Sequence, residues 1–423
     1  IRSGGLAGED IEGTITASGD IDLVDAGNGI IEATVTAGVA VPGSPLATFI
    51  SDGYSYAVWA ISGTPTSPTE PTAAVGVSAE LVFDGNGGNP TLEINNLEGT
   101  SAGTSIYITS RADTGVEQLF WDPDVDVYDA PITLTALNAA SAITIGTLYV
   151  EGSFTDIGGD SDITINNVVV EGGVGGTISV AAGEDIEFGW VEASLTINVA
   201  GGGKAGDLIL KSNSDVANSA TAYAINGGAI VSVNGSLSNV YLGDASAGFV
   251  GDLGDSGDVA TLTATGSIDD IFIAGDVLGN IRATSIGDIE VDGNVGNCDD
   301  GDADTLVDDG VAASIDITAS TGSIGDIKVA GVIGGDTDGS TVTIQATTPT
   351  GNIGAINAIG NIGTIAVAGN TVANSVTIAA GGSITKVEST ANIGDFDTDG
   401  GGADVSTLVI ITATNGTIGS VTA

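Results

Sequence analysis

The chain has 423 residues, with 7 Lys and Arg against 55 Asp and Glu, a formal net charge of −48, and it holds no His, no Met and a single Cys. Seven cations over this length cannot displace the counterions of a nucleic acid or dock on an anionic membrane surface, and without histidine there is no imidazole base or imidazole metal ligand. Hydrophobic residues make up 42% of the chain but aromatics only 4%, so a core has to be built from Val, Ile, Leu, Ala and Thr, which suits β-structure in narrow layers.

Charged residues are only 15% of the total, and the polar remainder is Ser, Thr, Asn, Gly and Asp rather than Lys–Glu pairs. A hydroxyl-rich, lysine-poor surface points outside the cell or to the cell surface. Cys298 has no internal disulfide partner and reads either as a small half-buried side chain or as one half of an intermolecular disulfide. A chain that opens on Ile1 without Met reads as processed or trimmed. Membrane insertion is not expected, because the longest uncharged stretch, 130–150, is interrupted by Thr, Ser and Asn and alternates like strands.

Along the chain, residues 1–37 open with Ile15-Thr16-Ala17-Ser18-Gly19-Asp20-Ile21-Asp22-Leu23, a strand, a glycine corner and a second strand, and are taken as first solenoid rungs. The composition then changes over 38–131. Eight prolines lie there (Pro42, Pro45, Pro65, Pro68, Pro71, Pro90, Pro123, Pro131), together with Tyr54, Tyr56, Trp59, Phe120 and Trp121. Strand-like runs at 55–61, 75–83 and 104–110 alternate with turn clusters, which predicts a small β-sandwich-like module, inserted or N-terminal, or else a loop-rich cap. Its aromatics form that module's core or a platform for sugars.

From 132 to 423 the dominant signal is an internal repeat. Ser267-Ile268-Asp269-Asp270-Ile271-Phe272-Ile273-Ala274-Gly275-Asp276-Val277 returns 18 residues later as Ser285-Ile286-Gly287-Asp288-Ile289-Glu290-Val291-Asp292-Gly293-Asn294-Val295. Its core recurs at Ser323-Ile324-Gly325-Asp326-Ile327, Asn352-Ile353-Gly354-Ala355-Ile356 and Asn361-Ile362-Gly363-Thr364-Ile365, and more weakly at 383–387 and 417–421. Alternating strands precede many copies, as at 315–319, 342–346, 376–379 and 408–412. The step of three from Ile324 to Ile327 breaks the two-residue period and places a bend at Gly325. A constant corner with variable spacing between copies predicts an all-β fold, a parallel β-helix (β-solenoid), in which coils stack and loops bulge from one corner. A strict hexapeptide period is absent, which favours a right-handed winding.

Two acidic loops are the candidate metal sites. Asp395, Asp397 and Asp399, with Asp404 following, and Asp300, Asp302 and Asp304, with Asp308, put carboxylates at alternate positions, as Ca²⁺ needs for its oxygen shell. They resemble the first half of EF-hand-like and thrombospondin-type calcium loops over about six residues. The closing Glu is missing, with Ser406 and Val311 in its place. Solvated acidic turns are the other reading. Catalysis on this scaffold needs grouped basic residues or paired carboxylates. Here Arg2, Arg111, Lys204, Lys211, Arg282, Lys328 and Lys386 are scattered, and Asp269-Asp270 are neighbours on a strand, so no enzymatic activity is expected. Sequons stand at Asn234 and Asn415.

The Gly-Ser-Ile-Gly-x-Ile-x-Val ladder with its acidic loops resembles secreted β-solenoid cell-surface proteins: adhesin stalks and S-layer or filament subunits. That resemblance implies a structural or adhesive protein, stabilised by calcium and acting by assembly. The expected function is therefore an extracellular homopolymer (filament, sheath or surface layer) whose partner is another copy of itself. The alternative is a calcium-stabilised adhesin that binds a cell-surface glycan through 38–131.

Overall fold

A computed structural model of the chain describes residues 10–423 except 18, 20, 27–28, 39–45, 53, 63–75, 86–89, 113–131, 151, 155–162, 214–221, 244–250, 255–257, 297–313, 335–340, 364, 367–374, 395 and 398–407. The described residues form an all-β, mostly parallel, solenoid-like array of strands with no α-helix, and the sheet does not close on itself. Compactness divides the chain into two units, residues 1–188 and 189–423.

The first unit contains strands β1 (Ile11–Thr16), β2 (Ile21–Asp25), β3 (Ile31–Gly38), β4 (Ala47–Ser51), β5 (Tyr54–Ser62), β6 (Ser78–Asp84), β7 (Thr91–Glu98), β8 (Thr104–Ala112), β9 (Thr133–Ala139), β10 (Ile143–Val150), β11 (Ser153–Phe154) and β12 (Ile163–Val180). They run as two ladders. One passes through β1, β3, β6, β7, β9, β11 and the end of β12; the other passes through β2, β4, β5, β8, β10 and the start of β12. Four described steps are antiparallel (β3–β6, β6–β7, β4–β5 and β5–β8), and all four involve strands of the proline-rich stretch. The described strands of 38–131 thus lie inside the first unit and pair outward to β2, β3, β9 and β10.

Between the ladders the core is aliphatic with an aromatic centre. Phe49 and Phe83 stack with centroids 4.6 Å apart, and Tyr56 tilts against Phe83 at 5.1 Å. Strand β5 is buried on both faces: Tyr56, Val58 and Ala60 alternate with Ala57, Trp59 and Ile61, which form a second cluster with Tyr107. Trp59, Tyr56 and Tyr107 are 8%, 3% and 5% exposed and are packing residues, while Tyr54 is half-buried.

In the second unit the repeat becomes geometry. Coils of 18 to 38 residues stack so that equivalent aliphatic residues pile up in register. One series runs Leu195, Val231, Leu262, Ile281, Ile317, Ile344, Ile378, Ile411. A second runs Leu208, Val240, Ile271, Ile289, Ile327, Ile356, Val387, Val421. The corner isoleucines between them run Leu237, Ile268, Ile286, Ile324, Ile353, Ile384, Ile418. All five landmarks of the 18-residue offset are neighbours: Ile268 with Ile286, Ile271 with Ile289, Ile273 with Val291, Val277 with Val295, and Gly293 N–H donating to Gly275 O. Burying such a side chain contributes roughly 1.5–3 kcal/mol each relative to exposure, which is what holds short strands of three to six residues in place.

One copy belongs elsewhere. The sequence placed Asn361-Ile362-Gly363 with the Ile324 and Ile353 corner, but Ile362 pairs with Ile333 and Ile393 in a third series: Val191, Ile225, Leu253, Val277, Val295, Ile333, Ile362, Ile393. Both corners demand the same small-polar, Ile, Gly chemistry, because in both the chain bends within contact of its neighbour. Spacing separates them: Val277, Val295, Ile333, Ile362 and Ile393 each stand nine residues after Ile268, Ile286, Ile324, Ile353 and Ile384 of the first corner.

Candidate functional site

The corners explain why the repeat is spelled Ser-Ile-Gly-Asp-Ile. At a bend the N–H groups leave the strand ladder and need another acceptor. Asp270 Oδ1 accepts from Asp288 N at 2.9 Å, Asp288 Oδ1 from Asp326 N at 2.8 Å, and Asp326 Oδ1 from Ala355 N at 2.7 Å. The small residue before the isoleucine repeats the device: Ser236 accepts from Ser267 N at 3.0 Å, Ser323 from Asn352 N at 3.0 Å, Asn352 from Ser383 N at 2.8 Å and Ser383 from Thr417 N at 3.0 Å. At the third corner Asp252, Asp276 and Asn294 do the same for Asp276 N, Asn294 N and Val332 N at 2.7, 2.5 and 2.8 Å. A coil therefore pairs its strands with the preceding coil and takes these corner acceptors from it as well. Gly287 is required between them, since a Cβ there would lie 1.6 Å from Asp269 O.

This accounts for the carboxylate pair that the sequence raised. Asp269 is ion-paired with Lys204, while Asp270 serves the Asp288 N–H. The other described cations are also engaged: Arg282 Nη2 is 3.0 Å from Asp316 Oδ2, Lys328 Nζ is 3.8 Å from Glu290 Oε2, and Lys386 pairs with Glu388. These contacts are exposed and each contributes little.

The predicted calcium loops are not brought together by anything described. Asp300, Asp302, Asp304 and Asp308 lie outside the described residues, as do Asp395, Asp399 and Asp404; Asp397 is described only as backbone, in the strand Phe396–Asp397. Among the described residues no three His, Cys, Asp or Glu side chains form a metal-holding group. Cys298 and Trp121 also lie outside the described residues. Asn234 is exposed, with its amide donating to Asn198 Oδ1 at 2.6 Å, and Asn415 is exposed, donating to Gly381 O at 3.0 Å. No described helix is long and apolar enough to cross a membrane.

Two open clefts of the first unit meet at Ala102. One, of about 540 Å³, is lined by Thr100, Ser101, Thr144 and Thr164; the other, of about 470 Å³, by Ser105, Thr147, Asn166, Asn167, Glu184 and Asp185. Their chemistry is that of hydroxyls, amides and two carboxylates. In the second unit, Trp190, Glu192, Tyr223 and Asn226 form an outward-facing set that the sequence did not suggest, because 33 residues separate Trp190 from Tyr223 and only stacking makes them neighbours. Compared with known protein families, curated proteins and solved structures, the chain matches none.

Proposed function

We propose that the chain is a right-handed parallel β-helix serving as an extracellular structural protein, one that self-assembles into a filament, sheath or surface layer. The observation that carries this reading is the unbroken register of the aliphatic series through eight coils, with repeated corner N–H groups accepted by side chains of the neighbouring coil. At about 4.8 Å per coil, eight coils make a shaft of roughly 38 Å whose described buried side chains are mainly aliphatic. A stack built this way offers its own strand pattern as the surface on which another copy can add. The strand Leu408–Ala413 pairs with Ser375–Ala380 on one edge and exposes Leu408 and Ile410, where the preceding coils carry Ser375 and Thr377. The net charge of −48 opposes lateral packing of such shafts, so divalent cations, Ca²⁺ foremost, are the expected counterions.

Electron microscopy of the purified chain with Ca²⁺ and with chelator tests the reading. Filaments or sheets that form with Ca²⁺ and disperse in chelator are expected. Monodisperse particles under both conditions, at every protein concentration tried, would refute assembly.

A further inference from the structure

Trp190 and Glu192 stand on the strand Ile186–Val199, pointing outward on either side of the fully buried Val191. The neighbouring coil brings Tyr223–Ile225 alongside, with Ile225 paired to Val191 in the interior. The outward side chains of the two coils converge on one carboxylate. Glu192 Oε2 accepts from Trp190 Nε1 at 2.9 Å and from Tyr223 OH at 2.8 Å. The Asn226 amide lies 3.4 Å from both Glu192 Oε1 and Glu192 O. Tyr223 is itself held by Asn213, which accepts from Tyr223 N at 2.9 Å and donates its own N–H to Tyr223 O at 3.0 Å.

This arrangement does nothing for the core, which is already closed by Val191 and Ile225. It fixes the orientation of an indole and a phenol, both half-buried, beside an exposed carboxylate. Among the described residues, the second oxygen of that carboxylate has only a long contact, with Asn226. An aromatic face to stack on, an acceptor and an amide, held rigid before any ligand arrives, are what a sugar ring needs. Its C–H face packs on the aromatic ring, and its hydroxyls donate to the carboxylate and accept from the amide. The charge decides which sugar: a carboxylate on a chain of net charge −48 repels uronates and sulfated glycans. From this geometry we infer that Trp190, Glu192, Tyr223 and Asn226 form a binding site for a neutral saccharide unit. The inference does not depend on self-assembly.

The test uses the full chain and the oligosaccharides cellohexaose, mannohexaose and N-acetylated chitohexaose, with polygalacturonate as the acidic control, read by tryptophan fluorescence and calorimetry. At least one neutral oligosaccharide is expected to bind and to shift the tryptophan emission. Trp190→Ala is expected to weaken that binding by about tenfold or more, equivalent to about 1.4 kcal/mol. Glu192→Gln, which keeps the shape but loses the charge, is expected to weaken it less. A thermal melt by circular dichroism checks that the variants fold. If Trp190→Ala does not fold, Tyr223→Ala takes its place, since its side chain lies outside the core. Absence of binding to all three neutral ligands, preference for polygalacturonate, or unchanged affinity in a folded Trp190→Ala or Tyr223→Ala chain would each overturn the assignment.

Discussion

Replacing Gly287 with Ala would put a methyl carbon where the stack of coils has no space. The new Cβ would lie 1.6 Å from Asp269 O, against about 3.3 Å for an ordinary carbon–oxygen contact, so the corner has to open by about 1.7 Å. The obstacle is backbone, which cannot swing aside as a side chain would. Opening the corner stretches the hydrogen bond from Gly287 N to Ile268 O (3.0 Å) and that from Asp288 N to Asp270 Oδ1 (2.9 Å), both beyond useful range. It also pulls at the pairing of Ile268 with Ile286. Two lost hydrogen bonds at about 1 kcal/mol each, plus disturbed packing of two buried isoleucines and less some rescue by water at a half-exposed corner, give about 2–4 kcal/mol. The control is Gly103→Ala, where the nearest atom to the new Cβ is Ser101 Oγ at 3.8 Å and an effect within about 0.5 kcal/mol is expected. Guanidinium denaturation followed by circular dichroism measures both. Hydrogen exchange at 268–291 adds a local readout, since stacked arrays do not always unfold in one step. If Gly287→Ala unfolds at the same denaturant concentration as Gly103→Ala and leaves exchange unchanged, the close approach of the coils is not what places glycine there.

Asp288→Ala is expected to destabilise by about 0.5–1.5 kcal/mol, because it leaves Asp326 N–H to water in place of its acceptor. Asp288→Asn keeps an oxygen in place and is expected to be close to neutral; equal losses in the two variants, measured by denaturation, would show that charge rather than acceptance matters at this corner. Burial pushes the Tyr107 phenol up to about 12, while Tyr56 is raised further by burial and by its neighbours Tyr54 and Asp52. The unfolded chain releases these protons near pH 10, so the contribution of the two tyrosines to stability is constant below that pH and falls as pH rises from 10 towards 12, by up to about 1.4 kcal/mol per pH unit for each tyrosine. Denaturation midpoints across this range, with absorbance of the tyrosinate, check this. Release of all tyrosine protons near pH 10 from the folded chain would contradict the buried environment.

Much of the second unit could be read directly from the letters. Ile268 and Ile286, Ile271 and Ile289, and Val277 and Val295 were paired by spacing alone and are neighbours in space. The bend at Gly325 was visible as a break in the two-residue alternation, since buried Ile324 and Ile327 leave two residues between them at the surface. The calcium loops were equally visible as a pattern; of their carboxylate residues only Asp397 is among the described residues, as strand backbone.

Side-chain periodicity and the demand for small residues at a bend are local properties, so the amino-acid order alone determined that this chain makes short strands, turns them at glycine and stacks the copies. Spacing also assigns Ile362 to the third corner, since it follows Ile353 by nine residues as Val295 follows Ile286 and Ile333 follows Ile324. The order of residues could not determine that the proline-rich strands pair antiparallel within the ladders begun by β1 and β2, a choice made by long-range hydrogen bonding. The gathering of Trp190 and Tyr223 on one carboxylate is likewise a product of stacking. It depends on the registration of one coil against the next, which is settled only when the buried residues of both find their partners.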